Sequence, residues 1–349
     1  MKKRRERPFP ARILIVRLGA IGDVTNALVV ATAIKASHPD THIGWAVHEL
    51  AAPLVHGHPD VDRAHLLPRR EGLAGLKAFL REVRAERYEM VIDLQRILKS
   101  ALIARLTRAK RVLGFDRKRA KELSWIWTRE RIPPGRGDAH MVVQYLEFVR
   151  YLGVPVYGAV HRFPESPEAE ARAAKLLAGL SGAAPIALNV GASKVRNRWP
   201  AERFGQLAHR IRTELHLPVI FTGGPGDSDL VAEAWAAMER ARSGSSRSGA
   251  AAGEAPVLDL VGVTGLLELI EVLRRSYHVV TCDTGPMHLA AAVQTPVVAL
   301  FGPADPSRTG PWGERNRVVR APGVPGRMGE LGVDLVYSAL RESLAYAGD

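Results

Sequence analysis

Short, unbroken apolar runs alternate with helix-length stretches along this chain, and the alternation occurs twice. The run 13–16, Ile-Leu-Ile-Val, leads into a turn at Gly19 and Gly22. Further runs at 42–47, 90–94 and 112–115 are separated by helical stretches at 24–37, 73–86 and beyond 94. In the second of these, Leu73, Leu76, Phe79, Leu80 and Val83 fall on one stripe. A further helix is expected at 141–152. The pattern loosens around Pro155, Pro164 and Pro167 and then restarts. Strands at 186–190, 219–222, 257–259, 278–282 and 297–301 then alternate with helices at 201–215, 228–242, 266–275 and 287–293. The run 297–301 is expected to be the last strand and 334–346 a terminal helix. Runs with no polar alternation are strands covered on both faces. Strand–helix–strand repeats make parallel sheets with right-handed crossovers. The expected class is α/β, with two domains at 1–160 and 161–349, each built on a parallel sheet. A length of 349 residues suits two domains of roughly 100–200 residues each. The Ser/Gly/Ala-rich stretch 241–254 buries too little apolar surface to offset its ordering entropy and is expected to be a disordered insertion.

Composition narrows the function. Hydrophobic residues make up 46% and charged residues 24%, the balance of a folded protein. The single cysteine, Cys282, excludes a disulfide scaffold and a thiolate zinc site. No run approaches the ~18–20 apolar residues that span a bilayer. The basic N-terminus, residues 1–8, is followed by only a short apolar run and lacks the core of a signal peptide. A cytoplasmic protein is expected, and its basic N-terminal run would suit an anionic leaflet. The net charge of +13 favours anionic partners. It is concentrated at 99–121, where Lys99, Arg105, Arg108, Lys110, Arg111, Arg117, Lys118, Arg119 and Lys121 face a single acid, Asp116. That stretch is a candidate anion-facing surface.

Ligands of open parallel sheets sit beyond the carboxyl ends of strands. After the first strand comes Gly19-Ala20-Ile21-Gly22-Asp23. The spacing is not that of a dinucleotide fingerprint, and an aspartate beside a pyrophosphate is electrostatically wrong. Asp23 is either a charge stabilised by a helix N-terminus or a carboxylate able to act as general base. In the second half, Asp283-Thr284-Gly285-Pro286-Met287-His288 follows a strand and opens a helix. The amides at Thr284 and Gly285 would offer donors to a phosphate. Asp283 either caps the helix or fixes the loop. His288 either contacts a phosphate or lies on the helix surface. The segment 191–200 offers small residues, then Ser193, Lys194, Arg196 and Arg198; it is a second anion-facing loop or a solvated one. Asp227-Ser228-Asp229 resembles a metal-carrying D-x-D, but its place at a helix start suits capping better. With no other ligand-spaced cluster, neither metal nor cofactor is expected, and a leaving group would be neutralised by cations and amides.

Taken in order, these pieces resemble glycosyltransferase family nine, the ADP-heptose:lipopolysaccharide heptosyltransferases. The likeness rests on the motifs at 13–24, 91–101, 114–117, 191–200, 222–224, 283–288 and 301–306. It implies a GT-B fold, two facing Rossmann-like domains with a cleft, the first holding the acceptor and the second the ADP-sugar. It implies inverting, metal-independent transfer of heptose from ADP-heptose to the Kdo/heptose inner core of a lipid A-Kdo type acceptor. Asp23 matches the family's general base. Ser193, Lys194, Arg196, Arg198, Asp227, Asp283, Thr284, Gly285 and His288 match the donor side, and Gly22, Gln95, Lys99 and Lys121 the acceptor side. Two departures stand out. Asn197 replaces a family lysine, which leaves Lys194, Arg196 or Arg198 to supply the cation, and Arg96 replaces a glycine, which bears on acceptor identity. The competing readings are an epimerase or hydrolase acting on a sugar nucleotide alone, and a basic nucleic-acid binder. The second lacks any helix-turn-helix or RNA-binding signature, so no nucleic-acid partner is expected.

Overall fold

The computed structural model describes residues 8–180, 182–244, 254–323 and 326–346. By its internal contacts the chain divides into Met1–Glu165 and Ser166–Asp349.

The first unit runs β1 (Arg12–Val16), α1 (Ile21–Ser37), β2 (His42–Val47), β3 (Arg63–Leu66), α2 (Gly72–Ala85), β4 (Met90–Asp93), α3 (Leu98–Leu106), β5 (Arg111–Gly114), β6 (Glu130–Arg131) and α4 (Met141–Tyr151). Its six strands form a parallel sheet in the order β3-β2-β1-β4-β5-β6. Ile13, Leu14, Ile15 and Val16 are fully buried. That is why β1 reads as continuous apolar sequence rather than an alternating pattern.

The second unit runs α5 (Pro167–Leu177), β7 (Ile186–Asn189), α6 (Ala201–Arg210), β8 (Val219–Thr222), α7 (Ser228–Gly244), β9 (Val257–Asp259), α8 (Leu266–Arg274), β10 (His278–Cys282), α9 (Gly285–Ala292), β11 (Val297–Phe301), α10 (Pro306–Thr309), β12 (Arg317–Arg320) and α11 (Val333–Tyr346). Its sheet order, β12-β11-β10-β7-β8-β9, repeats that of the first unit. The core gathers Trp199, Phe204, Phe221, Val280 and Leu300 between sheet and helices. Gly205 is a glycine because α6 lies close on α7: a Cβ there would stand 1.9 Å from the Ala234 carbonyl oxygen.

Three expectations need correction. The run 297–301 is not the last strand: β12 adds a parallel edge beyond it. Likewise β3 and β6 flank the first sheet where no strand was expected. In β12 only Val319 is buried, and in β3 only His65, so neither edge carries the apolar run that marks an interior strand. The expected insertion at 241–254 begins too early, because α7 continues through Gly244. At its other end Glu254 pairs with Arg212 at 3.1 Å. Residues 245–253 lie outside the described residues.

In both sheets the strand order reverses at one place, between β1 and β4 in the first unit and between β7 and β10 in the second. Loops leaving neighbouring strands at such a reversal diverge to opposite faces and leave a crevice at the carboxyl ends. The expected acceptor and donor residues fall largely on those loops.

Candidate active site at the strand ends

In the first unit, Val16 of β1 lies in register with Asp93 of β4. Arg17, the first residue past β1, has a side chain only 8% exposed and forms an ion pair with Asp23, whose side chain is 40% exposed. Asp23 lies in the first turn of α1, beside the buried Gly22, where the helix dipole favours an anion. Burial opposes the Arg17 charge, but Tyr145, Asp23 and Asp93 together hold the guanidinium protonated even more firmly than usual. Asp93 is fully enclosed. Its Oδ1 accepts from the Gln95 amide at 3.0 Å and its Oδ2 from the Ser100 hydroxyl at 3.1 Å. Gln95 Oε1 in turn accepts the Leu18 amide at 2.7 Å. These bonds tie the loop after β1 to the loop after β4, leaving the Asp23 carboxylate as the anion that reaches solvent.

Burial pushes the Asp93 carboxyl up to about 6, against the pull of the Gln95 amide, the Ser100 hydroxyl and Arg17. The native state therefore binds this proton more tightly than the unfolded chain, whose Asp titrates near ~3.9. The stabilisation is full below about pH 4 and lost as pH rises through about 6, amounting to on the order of 2–3 kcal/mol. Asp93→Asn removes that slope. Relative to the wild type, the variant should gain about 5 °C in Tm between pH 4 and 7. A melting-temperature difference that stays flat over this range would contradict the assignment.

Cations gather at the same edge. Lys99 is exposed on α3. His48, past β2, has Nδ1 2.6 Å from the Leu67 carbonyl oxygen. It is held below its usual range by burial and by Lys99 and Arg69, against the Leu67 bond. Arg69 was not singled out from the sequence; its Nη2 lies 3.7 Å from where a Gly19 Cβ would stand. Lys121 is exposed, and its amide donates to the Arg96 carbonyl at 2.8 Å. Arg96 lies over the Phe115 ring at 5.2 Å. The expected nine-cation surface at 99–121 is only partly a surface. Arg119 is buried against Asp116 and Glu147, and Arg111 is held by Glu130 through two bonds of 2.8 Å. Both serve the fold, because buried guanidinium needs carboxylate partners.

In the second unit, Thr284 adopts extended backbone geometry and α9 begins at Gly285. The first amides of a helix have no intrahelical partner. Asp283 directly precedes Thr284, the N-cap residue of α9. Its Oδ2 accepts from Asn197 Nδ2 at 3.1 Å, so it fixes the loop. Asn197 is 6% exposed. The next residues continue the stitching: the Trp199 amide donates to Cys282 Sγ at 3.3 Å, and Trp199 Nε1 to the Leu331 carbonyl at 2.7 Å. Burial pushes the Cys282 thiol up to about 12, which leaves it an inert acceptor. Arg198 Nε donates to the Ala192 carbonyl at 2.8 Å and braces its own loop. Ser193, Lys194 and Arg196 are exposed. His288 is buried on α9, not a surface histidine. Asp227 Oδ2 accepts the Gly224 amide at 2.8 Å as the start of α7 is formed. It also faces Gly191, where a Cβ would meet that same oxygen at 2.0 Å, so the loops after β7 and β8 touch only because residue 191 is glycine.

The sites are thus two strand-end clusters. One presents a carboxylate braced by a buried cation. The other presents helix-start amides with exposed cations on the adjacent loop. Among the described residues, no three His, Cys, Asp or Glu side chains come together as a metal-ligand set. No helix among them is long and apolar enough to cross a membrane.

The model of glycosyltransferase family 9 (heptosyltransferase) matches residues 76–326. The lipopolysaccharide core heptosyltransferase OpsX of Haemophilus influenzae is 24% identical over 313 residues, 89% of this chain and 84% of that one. A glycosyl transferase family 9 structure from Veillonella parvula superposes with a TM-score of 0.80 at 21% identity, covering 96% and 97% of the two chains. The Escherichia coli heptosyltransferase WaaC, solved with ADP, gives 0.74 at 25% identity, covering 95% and 99%.

Proposed function

The chain belongs to glycosyltransferase family 9, and from that premise we propose that it transfers heptose from ADP-heptose to the Kdo/heptose inner core of lipopolysaccharide, with inversion and without a metal. One observation carries the reading. A cation-braced carboxylate and an amide-presenting turn each occupy the strand-order reversal of a parallel sheet. Those are the two chemistries a sugar transfer needs, a base for the incoming hydroxyl and a binder for the departing diphosphate.

In the proposed reaction, Asp23 takes the proton of the acceptor hydroxyl as that oxygen bonds to the anomeric carbon. The bond from that carbon to the diphosphate oxygen breaks, and the sugar passes through an oxocarbenium-like state. The negative charge released on ADP is received by the amides at Thr284 and Gly285, with Lys194, Arg196 and His288 beside them. Arg198 and Asp227 shape the loops that carry these groups. Gly22, Gln95, Lys99 and Lys121 hold the acceptor, whose carboxylates and phosphates suit the cations there. WaaC was solved with ADP, which supports an adenine nucleotide as donor handle. The acceptor is lipid-linked, so the protein works as a cytoplasmic enzyme in peripheral contact with the inner membrane.

A nucleotide screen tests the donor. ADP at about 100 times its Kd should stabilise the protein by ~2.7 kcal/mol, read as a rise in melting temperature. UDP and GDP at equal concentration should give clearly less. Preference for either of those would remove ADP-heptose as the donor.

A further inference from the structure

The segment joining β5 to β6 exposes more apolar surface than packing requires. Leu123 is 63% and Ile126 57% exposed, and Trp127, Leu98 and Leu102 are exposed as well. Scattered apolar residues on a surface are ordinary; these are gathered. The turn Ser124–Ile126 packs on α3, and Leu98 and Leu102 share one face of that helix. Glu122 accepts the Leu98 amide at 3.2 Å, and the Ser124 hydroxyl donates to the Arg96 carbonyl at 2.8 Å. Exposed Arg117, Lys118, Lys121 and Arg129 flank these residues along the chain, and Arg117 lies over the Trp125 ring at 4.6 Å. Residues 117–131 hold two acids: Glu130 is half-buried and paired with Arg111, and exposed Glu122 accepts the Leu98 amide, which leaves the exposed cations of this stretch in excess.

An apolar cluster with a tryptophan, flanked by exposed cations, matches a bilayer interface with anionic headgroups. A second copy of the chain fits poorly, since a net charge of +13 opposes joining two basic patches. A nucleic acid would use the cations but leave Leu123 and Ile126 without an apolar partner.

We propose that this patch, centred on Leu123, Ile126 and Trp127, is the surface by which the protein docks on an anionic lipid leaflet. It rests on the reading that the acceptor is lipid-linked. The patch begins on α3, directly after the loop that bears Gln95, so docking brings headgroups to the acceptor-binding residues of the same unit.

Sedimentation of the full chain with phosphatidylcholine vesicles, with and without phosphatidylglycerol, tests it. Binding is expected only with phosphatidylglycerol and should weaken as salt rises. The double variant Leu123→Ser/Ile126→Ser should lose roughly tenfold in vesicle affinity, with an unchanged circular-dichroism melt. Its transfer to a water-soluble, acyl-free acceptor should stay at the wild-type rate, while transfer to an acceptor embedded in vesicles falls. Absence of wild-type binding, or equal binding by the double variant, would overturn the proposal. So would tighter capture of a random oligonucleotide than of vesicles, lost in the same variant. Failure of transfer to the acyl-free acceptor by the wild type would instead remove the functional reading, and the vesicle result would still decide the docking surface.

Discussion

Asp23→Asn should reduce turnover by about 10²–10⁴, the usual contribution of a positioned general base. The amide keeps the size of the carboxylate but has no useful basicity, so the acceptor hydroxyl must lose its proton unaided. ADP affinity should remain close to that of the wild type, because the proposed nucleotide contacts belong to residues 193–198 and 283–288. The fold should tolerate the change: Asp23 is partly exposed, and Arg17 keeps Asp93 as a charge partner. Steady-state kinetics with a binding titration of ADP separate the two effects. Turnover within about tenfold of the wild type would reduce Asp23 to a residue that merely stabilises the helix start.

Asn197→Asp is expected to produce the next largest loss, with a distinctive pH signature. Asn197 Nδ2 now donates to Asp283 Oδ2 at 3.1 Å. The substitution places two carboxylates at that separation, and unit charges ~4 Å apart near a surface repel by about 4 kcal/mol. At pH 8 the loop should spring from its partner, and kcat/KM for the donor should fall by roughly 10²-fold. As pH drops, one carboxylate takes up a proton and can again bridge to the other. Donor affinity should then recover below about pH 6, whereas wild-type affinity shows no such recovery. Asn197→Lys supplies a cation to Asp283 and should retain donor binding at both pH values. A pH-independent defect in Asn197→Asp would mean that Asn197 acts only by packing.

The sequence made the interior of this fold legible because interior strands are buried on both faces. Ile13–Val16 and Val297–Phe301 cannot be mistaken for anything amphipathic. The edges were hidden for the same reason reversed: Arg317–Arg320 buries one side chain and reads as charged loop. At the site, glycine turns and helix starts announced Asp23 and the 283–288 loop, since their local spacing carries the chemistry. What stayed hidden depends on contacts between distant positions. Arg17 reads as the end of an apolar run, yet it is the buried partner of Asp23. Asn197 reads as a missing lysine, and its bond to a residue 86 positions away gives it a role of its own. Arg119 reads as one cation among nine, and only the enclosing Asp116 and Glu147 take it off the surface.

The most direct test supplies the protein with ADP-heptose, with and without a Kdo-bearing lipid A acceptor, and analyses the products by mass spectrometry and NMR. The acceptor should gain one heptose, linked with the anomeric configuration opposite to that in the donor, and ADP should be released only when the acceptor is present. Consumption of the donor without acceptor, or a product that retains the donor's configuration, would contradict a direct displacement primed by Asp23.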